Sequence, residues 1–344
     1  MPANKRFILI CLIMFLMLLA MIGVALVVGS AELGSFKVAR IINSAILGST
    51  NGEIETFDRQ IVMEVRLPRI ILAIIVGAAL SMAGVIYQSL FRNPMAEPSV
   101  IGTSSGAALG ATLAIATGLN LKIGGLASTP LMAFTGAILA TILVYRLAKT
   151  GTRVPMAFLL LAGIAVSTFL SSAISLIMIL RRDEMYNIVS WLMGGFASRS
   201  WMDVVMVTPY VITGFLTAII FGRELNLMLL GEERARQLGL NSDRLQKYLI
   251  IAASLLVAGA VSVSGIIGFV GLLVPHMVRF ITGPDHKYLL PVSGLAGGLF
   301  LLAADTMART LLAPLELPVG VVTSLSGVPF FIYLLMKNKR TNQG

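Results

Sequence analysis

Side chains able to do covalent or metal chemistry are few in this sequence and far apart. His276 and His286 are the only imidazoles, and Cys11 is the only thiol. Neither histidine has a second histidine or a cysteine at metal-ligand spacing. One cysteine makes no disulfide and no thiolate cluster within a chain. No nucleophile–base pair is legible. No Gly-x-x-x-x-Gly-Lys-Ser/Thr loop is present, so ATP is not bound and split by that device. The expectation is a chain with no catalytic residue, no metal site and no cofactor of its own. Its chemistry is the placing of charge and of broken backbone.

Three placements stand out. The first is Gly231-Glu232-Glu233-Arg234-Ala235-Arg236-Gln237-Leu238-Gly239-Leu240. Glu232 and Arg236, and Glu233 and Gln237, are four residues apart. That spacing supports a short surface helix, ended by Gly239 and followed by a second helix capped at Asn241-Ser242. The second is Arg66-Leu67-Pro68-Arg69, with Arg309 further on. Arginines at the mouth of an apolar run need an acidic partner, either on another protein or nearby, as Glu64 is. The third is Arg92-Asn93-Pro94-Met95-Ala96-Glu97-Pro98, where two prolines four apart exclude a regular helix and predict a hinge or re-entrant connection.

The elements that position these residues are membrane spans. Of 344 residues, 57% are hydrophobic and 12% are charged, with a mean hydropathy of +0.92. A soluble domain has about twice that charged share. Uncharged runs occur at 7–31, 70–91, 98–121, 123–145, 154–180, 204–222, 248–278, 288–304 and 317–336. A span needs about 20 residues, so the 248–278 run is divided near Gly265 and Gly268. The reading is an all-α membrane protein of about ten transmembrane helices, one domain over residues 1–344, with a charged insertion at 223–247. Between runs, Met185–Met193 predicts a short amphipathic helix on the membrane. Small residues four apart (Gly102, Gly106 and Gly110; Gly77 and Ser81; Gly294 and Gly298) predict close helix contacts.

With ten spans both termini share a side. That side carries 16 basic and 6 acidic residues, and the other carries 10 of each. The termini and the 223–247 insertion are therefore expected in the cytoplasm. The net charge of +10 is a topology signal and does not point to nucleic acid.

Taken in order, Arg66–Arg69, Arg92–Pro98, Gly231–Leu240, Gly268-Phe269-Val270-Gly271-Leu272-Leu273-Val274-Pro275-His276, Ala304–Arg309 and Glu316–Thr323 resemble one family. It is the permease subunit of type II ABC importers for iron–siderophore complexes, haem and vitamin B12. The resemblance runs from about Arg66 to Lys337. It implies a homodimer in a bacterial or archaeal cytoplasmic membrane, in contact with lipid. Two ABC ATPase subunits supply ATP and Mg, and an extracytoplasmic substrate-binding protein delivers the cargo. Carried over residue by residue, Gly231 to Gly239 correspond to the helix that couples to the ATPase. Arg66, Arg69 and Arg309 correspond to arginines that dock the binding protein. Asn93, Pro94 and Met95 correspond to a cytoplasmic gate, and Pro155 and Met156 to a second gate whose usual small polar residues are absent here. The implied function is uptake of ferric siderophore by alternating access, with haem or cobalamin as alternatives of the same family. A secondary transporter working without ATP is the rival class. It needs ionisable residues along its path, and Asp305 and Glu97 are the only candidates.

Overall fold

The computed structural model describes residues 3–29, 34–47, 56–119, 122–123, 126–151 and 153–341. The helices are α1 (Ala3–Val27), α2 (Ser35–Leu47), α3 (Thr56–Gln60), α4 (Leu67–Leu90), α5 (Thr103–Ala116), α6 (Ser128–Ala148), α7 (Met156–Leu180), α8 (Met185–Leu192), α9 (Trp201–Ile220), α10 (Gly222–Met228), α11 (Glu232–Gln237), α12 (Ser242–Ser264), α13 (Val270–Thr282), α14 (His286–Thr310) and α15 (Val319–Thr341). A π-helical turn, Ile61–Arg66, joins α3 to α4 without a break. The only strands among the described residues are the two-residue pair Lys122–Ile123 and Leu126–Ala127.

Each apolar run of the sequence falls on a helix, but not every helix is a full span. Seven are long and apolar enough to cross a membrane: α1, the continuous Phe57–Leu90 stretch, α6, α7, α9, α12 and α14. The other three, α5, α13 and α15, are apolar but shorter over their described lengths. At 1.5 Å per residue the 14 residues of α5 rise about 21 Å, less than the hydrocarbon thickness of about 30 Å. The prolines before α5 consume the rest of its run. Residues 30–33 and 48–55 lie outside the described residues.

Local signals set the helix ends. Ser200 and Asp203 form a reciprocal capping box at the start of α9. Pro68 comes one residue after the π-helical turn, inside the continuous helix, so its missing N–H falls where the regular bonding is already interrupted. Gly265, at φ 67°, ends α12, and the chain then runs without regular structure to Phe269 before α13.

Inside a bilayer the sorting of side chains differs from that in water, because lipid tails are as apolar as leucine. Helices associate through close packing and shared hydrogen bonds. Helices α4, α12 and α14 form the centre, and α13 packs on α4 and α14. The apolar window of α4 is 78% buried and that of α1 only 6%. α1 and α7 turn large apolar side chains such as Leu16 and Phe169 outward. Helices touch backbone to backbone in the centre and beside it: a Cβ on Gly77 of α4 would lie 2.2 Å from the Gly297 carbonyl oxygen of α14, and one on Gly106 of α5 2.4 Å from that of Gly136 of α6. Hydroxyl pairs add cross-links, Tyr87 with Ser254 at 3.1 Å and Thr103 with Thr141 at 3.0 Å.

Candidate functional site

The charged insertion folds as its spacing predicts. Gly231, at φ 104°, precedes α11, and Gly239, at φ 85°, follows it. The Asn241 side chain accepts from the Arg244 N–H at 3.1 Å and caps α12. Ala235 is fully buried and seats the helix on the bundle, while Glu233 and Arg234 are exposed. Arg236 reaches Asp243 at 3.2 Å, so α11 is tied to the first turn of α12. The result is a short, braced helix with a charged outer face at one end of the bundle, termed here the handle end.

The proline-broken connection lies at the same end. Arg92 adopts φ 50° at the close of α4. The Asn93 side chain accepts from the Met95 N–H at 2.9 Å, bridging Pro94. Asn93, Pro94 and Met95 are all exposed. A cavity of about 460 Å³ brings Arg92 together with Pro155, Met156, Met228 and Asp243. The second expected gate segment, Pro155 and Met156, thus shares a cavity with Arg92, the residue before the first, and with Met228 and Asp243, which flank α11. Glu97 reaches inward from the broken segment, and its Oε1 accepts from the Phe269 N–H at 3.3 Å. Phe269 opens α13 in the left-handed region, at φ 68°. A carboxylate there satisfies one orphan N–H and favours the helix dipole. Glu97 therefore joins two discontinuities, the α4–α5 connection and the α12–α13 connection.

A second junction was not foreseen. The sequence places His286 in a loop, but it is the first residue of α14 and is 1% exposed. Its Nδ1 lies 2.8 Å from the Asn226 Oδ1, and its Nε2 contacts the Ser89 Oγ. The His286 N–H also donates to Asn226 Oδ1 at 2.9 Å. Asn226 sits on α10, just before α11, and Ser89 on the last turn of α4, just before Asn93. The only local signal for this cluster was Asp285, whose carboxylate accepts from Lys287 N–H and caps α14. His276 makes an edge-on contact with Phe280, with ring centroids 5.0 Å apart. Among the described residues no three metal-ligating side chains converge.

The arginine triad is more enclosed than its place in the sequence suggests. Arg66, Arg69 and Arg309 gather at the opposite end of the bundle, as docking residues would, but they are 4%, 7% and 4% exposed. Within the chain they act as ties between helices. Arg69 donates to Asp305 and, at 2.9 Å, to Glu316. Arg309 Nε lies 3.4 Å from Asp305 Oδ2. Arg66 donates to the Leu26 and Val27 carbonyls, and Arg309 to that of Ala25 at 3.2 Å. These are last-turn carbonyls of α1, which have no partner within the helix and carry its negative dipole end. The acidic partners are Asp305 and Glu316; Glu64 is exposed. Asp305 is fully buried and neutralised by two arginines, so it is not a free carboxylate along a path.

The comparisons with known proteins agree with this architecture. The chain is 46% identical over 275 residues to the cobalamin import system permease BtuC of Halobacterium salinarum, covering 80% of this chain and 73% of that protein. It is 37% identical over 332 residues to the hemin transport system permease HmuU of Yersinia pestis, covering 96% of each. A solved structure described as an inward-facing conformation of a metal-chelate type ABC transporter superposes with a TM-score of 0.83 at 31% identity, covering 95% of this chain and 99% of that one. The model of the FecCD transport family matches residues 12–337, and the chain belongs to that family.

Proposed function

We propose that this chain is the membrane permease of an ATP-driven importer that takes up iron chelates, ferric siderophores first, by alternating access. The observation that carries the reading is the handle. A charged helix, braced by Ala235 and Arg236, stands beside two broken connections that hold the gate residues. A soluble ATPase gripping α11 would act on Asn226 through α10, and from there on His286 and the last turn of α4. The seven long and three short apolar helices fit ten spans, with both termini and the handle in the cytoplasm. On this reading the arginine end faces outward. A binding protein docking there would meet a cluster of three arginines against Asp305 and Glu316, a surplus of positive charge. Two copies of the chain would enclose one path, and two ATPases would supply ATP hydrolysis.

The likeness to a metal-chelate transporter favours iron chelates. Haem and cobalamin are the alternatives, from the relatives named above. The test is reconstitution in proteoliposomes with the ATPase and binding protein encoded beside this gene. ATP-dependent uptake of a ferric chelate is expected. An ATPase that neither co-purifies nor supports uptake of any of the three cargo classes would overturn the reading.

A further inference from the structure

We propose that the cavity at the handle end, between the close of α9, α10 and the first turns of α14, is a binding site for an anionic phospholipid. The cavity has a volume of about 470 Å³, within the range of about 300–1,000 Å³ usual for small-molecule sites. Arg223 and Lys287 stand on its wall, together with Ile219, Ile220, Leu290 and Pro291. The 20 residues of α9 rise about 30 Å, the hydrocarbon thickness of a bilayer. The last turn of α9, and with it this cavity, therefore lies where acyl chains give way to headgroups.

Two separate elements bring a cation to this cavity, Arg223 from the first turn of α10 and Lys287 from the first turn of α14. Both side chains are exposed, and neither makes an ion pair among the described residues. The Lys287 ammonium lies 5.5 Å from the Tyr288 ring centroid, a contact that leaves its charge in place. The carboxylate on the wall is that of Asp285. Its Oδ1 accepts from the Asn226 amide at 2.7 Å and from the Lys287 N–H at 2.9 Å. It thus caps α14 and offsets the positive end of that helix. Glu224, next to Arg223 in the chain, is not on the wall, and its Oε2 is sealed from solvent. Two cations against one carboxylate leave one positive charge over, and a phosphodiester carries one negative charge.

The apolar part of the wall selects the source of that phosphate. Ile219 and Ile220 close a span-length helix with exposed side chains, and Leu290 and Pro291 line the same cavity from α14. A soluble phosphate would leave this surface uncovered. An acyl chain covers it while the phosphate meets the two cations, which is how basic clefts between spans hold anionic headgroups. A zwitterionic lipid brings its own ammonium, which Arg223 and Lys287 repel. The cavity also reaches Asn226 and His286, the pair that links α10 to Ser89 on α4. On the importer reading above, the lipid braces α10 against α14 beside the handle; the binding itself does not rest on that reading.

The experiment is native mass spectrometry of the full-length chain in detergent, titrated with phosphatidylglycerol or with phosphatidylcholine of the same acyl chains. Phosphatidylglycerol is expected to fill one site well before phosphatidylcholine does. Arg223→Gln and Lys287→Gln should each weaken it by about fivefold, and together by about thirtyfold. All three changes are at exposed positions, as is Ile220→Gln, which removes apolar wall without changing charge and should weaken binding several-fold. Lys247→Gln, also exposed and basic but off the wall, should bind as the parent does. Glycerol phosphate, the headgroup without its chains, should not compete at equal concentration. Equal binding of the two lipids, an unchanged affinity in the double variant, or the same loss in Lys247→Gln overturns the site. Competition by glycerol phosphate would make the ligand a soluble phosphate and overturn the lipid assignment. The assay needs no ATPase, so a failure of ATP-driven uptake would count against the importer reading and leave the binding result standing.

Discussion

Arg69 and Asp305 are 236 residues apart in the chain and 2.9 Å apart in the fold. They bind the start of α4 to the end of α14, and Arg309, one turn after Asp305, closes the same carboxylate from the other side. Arg66 and Arg309 then reach the end of α1. Three helices that meet at one end of the bundle are thus fixed by ionic contacts sealed from water. Such a cluster holds its geometry because a charge left alone there is costly.

Asp305→Ala should therefore destabilise the chain by about 3–5 kcal/mol, since it strands the buried Arg309 guanidinium and leaves Arg69 with Glu316 alone. Reversal of Arg309 to glutamate should do similar damage, by setting a second acid against Asp305. Thermal unfolding of purified protein reads the effect, and Asp305→Glu, which keeps the negative charge, should lose much less. An unchanged midpoint for Asp305→Ala alone would show that the cluster does not hold the helices.

The handle can be tested without touching its brace. Glu233→Ala with Arg234→Ala changes two exposed side chains and leaves Ala235 and the Arg236–Asp243 pair intact. Surface changes of this kind cost within about 0.5 kcal/mol. The expected outcome is folded permease that co-purifies with less ATPase and supports less uptake. Full co-purification with full uptake would remove α11 from the coupling interface.

His286 offers a way to separate motion from assembly. His286→Phe keeps the ring volume and abolishes the contacts to Asn226 and Ser89. The loss should cost about 1–3 kcal/mol, because Asn226 and Ser89 lose a buried partner. ATPase should remain bound, while ATP hydrolysis continues with reduced cargo uptake. Uptake and hydrolysis falling together in proportion would mean that the network only supports folding.

Glu97 should control the gate through Phe269. Glu97→Ala removes the acceptor at the start of α13, which is worth about 1 kcal/mol for a helix cap; Glu97→Gln keeps an acceptor oxygen. With Met95→Cys as a reporter, thiol labelling from the handle side should accelerate in the alanine background and stay near the parent rate in the glutamine background. Equal labelling in all three would detach Glu97 from the gate.

Much of this molecule was written in local sequence. The apolar runs are helices, because 20-odd residues without charge have no other way to satisfy their backbone in lipid. Gly231, Gly239 and Asn241 bound α11 and start α12 as their types require, and Pro94 and Pro98 keep 93–98 out of a helix. The spacing of small residues at 77, 106 and 298 announced close packing without saying which helix would answer; the contact of Gly77 is with Gly297, which that spacing did not mark. Family membership was legible in the order of motifs alone. Pairing was not. Nothing near Arg66, Arg69 or Arg309 shows that Asp305, Glu316 and the carbonyls of α1 fill their hydrogen bonds, so charges that look available in sequence are spent inside the fold. His286 looked like a loop residue, because its partners come from α10 and α4. Hydropathy and capping act over one or two turns, within reach of a single stretch of sequence. Charge compensation and burial are settled between helices hundreds of residues apart, and only their packing decides which side chains remain free.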